Sequence, residues 1–402
     1  MVLEWRKHKI FILQSMIRNI SIGIDVGSST TRVVVGEFIK GEKNPKIIGV
    51  GEAPSRGMRH GYVVDLDAAT KSLHKALDSA EKSSGLKVKR AFVSVGGISL
   101  KSETGSGGTV VSKANGEVTE LDANRALQDC EDNLNLNNKK VIQVYPLSFR
   151  LDGKEVQGRL EGMRGTKLEA KAIFLTYSSQ HLEDLLGVVA KCGVETIDII
   201  ASPLTLADMV LSEKQKIVGV GLVDIGAETT TLAVFENGSL LSVSTSAIGS
   251  SDITNDLALG FKIPLEKADS LKLGNGTEDF PKKKSDEIIE ARLSDIFELI
   301  ENNLKKIKRS ELLPAGLVFV GGGANAPRLE ELAKSVLKLP ATIATTELFG
   351  NAKTKLRDPA WFTAIGLLVS GRDNVGYSEG SFGGVFKDLK NTIKSTIKQL
   401  MP

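Results

Sequence analysis

The sequence predicts an α/β fold of two related lobes, with a duplicated core, an inserted α+β subdomain and a C-terminal amphipathic helix. Three observations lead there. Residues 23–35, GIDVGSSTTRVVV, are echoed by residues 221–234, GLVDIGAETTTLAV, which pairs Asp25 with Asp224, Gly27 with Gly226, Thr30 with Thr229 and Thr31 with Thr230. Strand-like and helix-like stretches alternate around each copy, as they do in layered α/β proteins. Residues 101–180 interrupt that alternation, and residues 385–402 end the chain in a lysine-flanked apolar pattern.

Taken in order, Ile20–Ile24 and Thr31–Val35 read as strands around the first loop, and Lys46–Glu52 as a third. Residues 67–84 carry Ala69, Leu73, Ala76, Leu77 and Ala80 at helical spacing, with Asp65 or Asp67 as candidate cap. Arg90–Val95 is a buried strand ended by Gly96-Gly97. Within 101–180, strands at 141–149 and 170–178 surround a helix at about 121–134, opened by the capping box Thr119 to Asp122. A helix over 179–192 is followed by a strand and helix over 198–211. The second loop leads into a hairpin with Asn237-Gly238 at its tip. Residues 250–310 read as helical apart from the polar loop 274–284. Leu317–Val320 is a buried strand, and a helix from Pro327 to Leu337 places proline in its first turn. Trp361–Val369 is an apolar helix, 371–384 a glycine-rich linker, and 385–401 a last helix.

Composition narrows the function classes. At 402 residues there is room for two or more domains and a sizeable core. The net charge of +3 and the 5% aromatic content give no support to nucleic-acid binding. Two cysteines, Cys130 and Cys192, make no disulfide framework, so a reducing cytosol is expected. Four scattered histidines have no metal-ligand spacing. No apolar run reaches the ~18–20 residues of a membrane span. Residues 1–16 hold a basic cluster and a four-residue apolar run, too short for a signal peptide, and read as an extension or a misplaced start.

The repeated loops carry the chemistry. Each runs strand, Asp-apolar-Gly, two variable residues, Thr-Thr, strand. The glycine lets backbone approach a ligand, and Ser28, Ser29, Thr30, Thr229 and Thr230 supply hydroxyls to an anion. Asp25 and Asp224 at the strand ends suit Mg²⁺ held through water. A third element, FVGGGANAPRLEEL (319–332), presents Gly321, Gly322 and Gly323, with Asn325 beyond, where backbone can pack against a flat purine and ribose. Neither a P-loop nor a dinucleotide fingerprint is present.

In this order the motifs resemble the phosphate-1, phosphate-2 and adenosine motifs of the superfamily of actin, heat-shock chaperones and sugar kinases. Residues 47–69, IIGVGEAPSRGMRHGYVVDLDAA, and the α+β insertion narrow the resemblance to the bacterial cell division family FtsA. It covers about 20–370 plus the tail. The resemblance implies an actin-like fold divided into an extension (1–16), subdomain 1A (17–100, 181–212 and 358–371), subdomain 1C (101–180), subdomain 2A (213–250 and 313–357), subdomain 2B (251–312), a linker (372–384) and a membrane-targeting helix (385–402). It implies ATP and Mg²⁺ between the lobes, with Asp269 and Lys272 of ADSLKLG near the nucleotide. Two departures stand out. Many members carry lysine where this chain has Thr30, and Arg32 is not counted as its replacement. The second loop has Ala227-Glu228 in place of two glycines, which leaves Asp224 and Glu228 as candidate catalytic groups and at most a slow ATPase.

At 100° per residue Phe386, Leu389, Ile393, Ile397, Leu400 and Met401 share one arc, flanked by Lys387, Lys390, Lys394 and Lys398. That arrangement suits an anionic lipid surface. The function implied is an actin-like protein that self-assembles and tethers the tubulin-like GTPase FtsZ, through its C-terminal peptide on 2B, to the inner face of the cytoplasmic membrane at the septum. Other division proteins are possible partners. A PilM-like pilus-assembly scaffold is the alternative, and a small-molecule kinase a more distant one.

Overall fold

The computed structural model describes residues 19–39, 44–275, 280–345 and 354–373. The 1–16 extension and the 385–402 helix, including every proposed lipid-facing residue, lie outside the described residues.

The first lobe is built on β1 (Asn19–Val26), β2 (Thr30–Phe38), β3 (Lys46–Pro54), the short pair β4 (Met58–Arg59) and β5 (Tyr62–Val63), α1 (Leu66–Ser84) and β6 (Arg90–Val95). Next comes the insertion, with β7 (Lys101–Val110), α2 (Glu120–Asp132), β8 (Lys139–Leu151), β9 (Lys154–Glu155) and β10 (Lys167–Ser178). The chain returns through α3 (Ser179–Lys191), β11 (Glu195–Ala201) and α4 (Ser202–Val210). The second lobe holds α5 (Glu213–Val218), β12 (Val220–Ile225), β13 (Thr230–Glu236), β14 (Ser239–Ser246), α6 (Ser250–Phe261), α7 (Leu265–Lys272), α8 (Lys282–Lys306), β15 (Leu317–Val320), α9 (Leu329–Leu337) and β16 (Ala341–Ile343), and α10 (Phe362–Asp373) packs back on the first lobe.

The lobes repeat one topology. One sheet runs β11-β6-β1-β2-β3 and the other β16-β15-β12-β13-β14. In each, an antiparallel hairpin carries the repeated loop, and its first strand pairs in parallel with β6 or β15. The central strands are buried on both sides, as continuous apolar runs such as Val33-Val34-Val35 require. This is the two-lobed, actin-like α/β architecture with an inserted subdomain that the sequence predicts.

Local chemistry explains the elements. Asp65 caps α1 by accepting the Ala68 N–H at 3.0 Å, and Gly85 ends the helix at φ 72°. The predicted apolar face of α1 is buried against β3, where Leu73 and Leu77 contribute about 1.5–3 kcal/mol each. That contact is close enough that a Cβ on Gly51 would lie 1.9 Å from the Ala76 carbonyl oxygen. The insertion has its own core of Val118, Ala126, Leu127, Leu168 and Phe174, with sheet order β7-β10-β8-β9. Its helix opens on the predicted capping box, in which buried Asp122 accepts from Thr119 N at 2.8 Å and Ser112 N at 2.9 Å.

Both lobes close their outer strand with a serine. Ser83 of α1 donates to the Val50 carbonyl and accepts the Val50 N–H, each at 2.9 Å, in the middle of β3. Ser102 of the insertion does the same to Val243 of β14, each at 2.9 Å. Val50 lies opposite Val34 and Val243 opposite Ala233, which are equivalent positions of the two repeats. An open strand edge is a template for unwanted pairing, and each hydroxyl blocks it at one point.

Some sequence expectations need correction. Gly322–Asn325 form a 3₁₀ turn, and Pro327 lies before α9 rather than in its first turn, because Arg328 takes the left-handed N-cap position at φ 58°. The last helix of the first lobe continues to Asp373, into the stretch expected as linker. The strand β7 and the hairpin β4–β5 were not anticipated. β7 holds three glycines in SETGSGGTV, and its strand character comes from pairing with β10.

Candidate functional site

The two repeated hairpins face each other across a cleft of about 360 Å³ between the lobes. Such a volume falls within the usual range for small-molecule sites. From the first lobe, Asp25, Gly27, Ser28, Ser29, Thr30 and Arg32 line it; from the second, Asp224, Gly226, Thr229, Asp269, Lys272, Gly321, Gly322 and Asn325 do.

Each loop is positioned by its hairpin. Asp25 pairs with Arg32 across β1 and β2, so the two side chains stand together on one face at the strand ends. Asp224 holds the same place opposite Thr231. The Gly226 N–H donates to the Thr229 carbonyl at 2.8 Å, which closes the second loop tightly. Gly321 has φ 83°, and a Cβ there would lie 2.3 Å from Asp224 Oδ1 and 2.5 Å from the Ile225 carbonyl oxygen. Only glycine allows this backbone to pass so close to the aspartate.

The electrostatics are those of two enclosed carboxylates sharing one cation. Burial raises the Asp25 pKa, while the Ser94 hydroxyl, donating to Oδ1 at 2.6 Å, and Arg32 oppose the rise. Asp224 is pushed up to about 7, first by burial and then by the charge of Asp25, with Arg32 opposing. The Arg32 guanidinium sits 5.5 Å from the Trp361 ring centre, and its Nε is buried with no hydrogen-bond partner. On the opposite wall, Lys272 Nζ donates to Asp269 at 2.6 Å and Thr254 Oγ1 at 2.9 Å. Asn325 Nδ2 donates across the lobes to Asp358 at 3.1 Å.

Three residues predicted for the site do not line the cleft. Thr230 donates its hydroxyl to the Ile248 carbonyl at 2.9 Å, and so braces the loop from behind. Gly323 is buried against Ile225. The Glu228 carboxylate turns to the His60 N–H at 2.6 Å, so the catalytic role expected for it has no geometric basis. Conversely, Arg32 had been set aside, yet it stands beside both aspartates. Ser94, Gly96 and Gly97 were also missed. The signal for them was present: AFVSVGG at the end of β6 matches LVFVGGG at the end of β15, a third repeat in the same topological place.

The donor set fits a phosphate-bearing ligand with a hard cation. Hydroxyls and glycine backbone face the cleft from both lobes, Arg32 Nε is an unmet donor, and two carboxylates suit an ion that keeps much of its water. Among the described residues no group of three or more His, Cys, Asp or Glu side chains forms a metal cluster.

Comparison with known proteins places the chain in a family. The family model "Cell division protein FtsA" matches residues 221–366, and "SHS2 domain inserted in FTSA" matches residues 97–176. The Cell division protein FtsA of Bacillus subtilis is 32% identical, over 86% of this chain and 82% of its own length. That of Pseudomonas aeruginosa is 28% identical over 87% and 88%. Among solved structures, the PilM-PilN type IV pilus biogenesis complex superposes with TM-score 0.66 at 15% identity, over 87% of this chain and 98% of that one. MreB5 of Spiroplasma citri bound to ADP reaches 0.50 at 14% identity, over 88% and 97%. These two likenesses speak for the fold alone. The paired loops, the insertion and the sequence identity over four-fifths of both chains together make this chain a member of the FtsA family of cell division proteins.

Proposed function

We propose that the cleft binds ATP with Mg²⁺, and that the protein self-assembles and tethers FtsZ to the inner face of the cytoplasmic membrane at the septum. The observation that carries the nucleotide reading is the convergence of Asp25, Asp224 and Arg32 between two hydroxyl-bearing loops. Ser28, Ser29, Thr30 and Thr229 would donate to phosphate oxygens, and Arg32 would contribute the charge that the missing lysine leaves open. Asp25 and Asp224 would hold Mg²⁺ through water, and the ion would neutralise phosphate charge and orient the phosphates. Gly321 and Gly322 would lie against the nucleoside, with Asp269 and Lys272 near its ribose. Glu228 is left out of this set.

Tethering rests on two surfaces. Residues 251–312 are the proposed seat for the FtsZ C-terminal peptide, and Leu259 and Leu265 there are 77% and 54% exposed. The lysine-flanked arc of residues 385–402 is the proposed lipid anchor, and an assembled polymer would bind through avidity. Among the described residues no helix is long and apolar enough to cross a membrane.

The decisive test pairs two measurements on the full chain. Binding to the FtsZ C-terminal peptide is expected, with none to the N-terminal peptide of a pilus-assembly partner; the reverse preference would favour the pilus scaffold reading. Co-sedimentation with anionic vesicles is expected to require residues 385–402, and equal pelleting without them would remove the anchor. ATP turnover stimulated by a sugar or carboxylate would favour a kinase instead.

A further inference from the structure

Glu228 occupies a position where this chain departs from the paired glycines of its resemblance, and the structure gives its side chain a specific partner. The partner is the tip of the β4–β5 hairpin, on the other lobe. Arg59 pairs with Tyr62, so His60 and Gly61 form a two-residue turn, with φ of 47° and 85°. Both values are positive, as in a type I′ turn. The two N–H groups of that turn point away from the hairpin, one to each repeated loop. The His60 N–H donates to Glu228 Oε2 at 2.6 Å, and the Gly61 N–H donates to Ser28 Oγ at 3.0 Å. The His60 ring adds an Nδ1 contact to the Glu228 carbonyl at 3.2 Å. One turn therefore holds both phosphate loops at once.

Neither side of this contact is slack. The turn is fixed to its own lobe by the Ile98 N–H, which donates to the His60 carbonyl at 3.1 Å, and by the Tyr177 hydroxyl, which donates to the Gly61 carbonyl at 3.2 Å. It also packs on Gly97 so closely that a Cβ on Gly61 would lie 2.5 Å from the Gly97 Cα. The Glu228 loop is fixed to the second lobe by the N–H groups of Ser250 and Ser251, which donate to the Gly226 and Ala227 carbonyls at 2.9 and 2.8 Å. A charged hydrogen bond between two rigid bodies is a cross-link, whereas one on a floppy loop would simply follow the motion.

We propose that Glu228 is an interlobe clasp. Its carboxylate acts as a tethered anion that holds the His60 N–H of the turn and keeps the cleft closed whether or not nucleotide is present, so that nucleotide entry and exit both wait for the clasp to open. The rate part rests on the nucleotide reading above; the closure part does not. Glu228 is a positioning residue in this account and touches no ligand. A clasp made equally in the free and bound states cancels from the affinity and remains in the rates. Losing a charge-assisted hydrogen bond changes an equilibrium by roughly ten- to a hundredfold, which sets the expected acceleration.

The test uses the full chain with Cys192→Ser and spin labels at Lys71→Cys on α1 and Lys305→Cys on α8, one exposed site per lobe. In nucleotide-free protein, one narrow distance distribution is expected with Glu228 present. Glu228→Gly is expected to broaden and lengthen it, and Glu228→Gln, which keeps an acceptor without the charge, to fall between. With a fluorescent ATP analogue, association and release are both expected to quicken about tenfold or more in Glu228→Gly, with Kd changing by less than either rate. Coincident distance distributions for Glu228 and both variants would overturn the clasp, whatever the rates. Failure of the analogue to bind any form would instead overturn the nucleotide reading, and the distances would still decide the clasp.

Discussion

Adding one methyl group at Gly321 or at Gly322 separates backbone geometry from cleft chemistry. At Gly321 the new Cβ would meet the Ile225 carbonyl oxygen at 2.5 Å and Asp224 Oδ1 at 2.3 Å, on a backbone with φ 83°. With ψ at 169° this is the positive-φ extended region that is essentially closed to residues with a Cβ, and it costs about 1–3 kcal/mol. Overpacking against backbone that cannot retreat adds about 1–3 kcal/mol. Gly321→Ala is therefore expected to lower stability by about 2–6 kcal/mol, a large part of the ~5–15 kcal/mol that holds a protein folded. At Gly322 the nearest atom to a new Cβ is Ala360 Cβ at 3.8 Å, and φ is not positive. Gly322→Ala is expected to stay within about 0.5 kcal/mol of the parent. Urea denaturation reads the stabilities, and calorimetry with Mg²⁺-ATP reads the site. Gly321→Ala should weaken ATP at least about tenfold by displacing Asp224, a change of ~1.4 kcal/mol. The larger Gly322→Arg should abolish binding by filling the cleft while remaining folded. Equal losses of stability for the two alanine variants would refute the argument that Gly321 is there for its backbone.

Two further outcomes follow from the carboxylates. Asp224 has a folded pKa of about 7, above its unfolded value, so its stabilising effect is fully present below the unfolded pKa and is lost as pH rises through about 7. The melting temperature of nucleotide-free protein should fall between about pH 4 and pH 7, and Asp224→Asn should flatten that fall by calorimetry. Asp122 has the opposite sign: burial raises its pKa, but hydrogen bonds from Thr119 and Ser112 outweigh that and hold it at about 2. Its contribution is present above the unfolded pKa and lost as pH falls through about 2. Asp122→Ala should cost about 1–3 kcal/mol, seen as faster hydrogen exchange across the insertion with little change in the lobes.

The lobes were legible because duplication wrote the same glycine- and hydroxyl-bearing loop twice, and strand pattern, loop and strand pattern recur as a unit. The helix α1 was legible for a different reason: its cap and apolar period are both local, and Asp65, Leu73 and Leu77 behave as sequence spacing says. What stayed hidden was non-local. β7 reads as a flexible glycine run until β10 lies beside it. Arg32 is not counted from the sequence because its place in the site comes from its neighbour across the hairpin, Asp25. Thr230 and Gly323 have the residue type of ligand contacts and are spent on the loop's own support. Ser83 and Ser102 belong to no pattern, since a single hydroxyl closes each strand edge from a different element.

Duplication also creates a difficulty that the structure resolves by breaking symmetry. Equivalent loops bring equivalent aspartates to the same cleft, and Asp25 raises the pKa of Asp224 there. Two cations at the equivalent strand positions would neutralise the pair and leave little charge to hold a metal ion. No cation at all would leave both carboxyls to be protonated by burial. The chain has Arg32 in the first repeat and Thr231 at the matching place in the second, where its hydroxyl turns to Thr245 at 3.1 Å. One guanidinium against two carboxylates leaves a net negative site when both are ionised. Arg32 Nε is left as an unmet donor beside them. That uneven charge is a property of the pair of unequal loops and of neither loop alone.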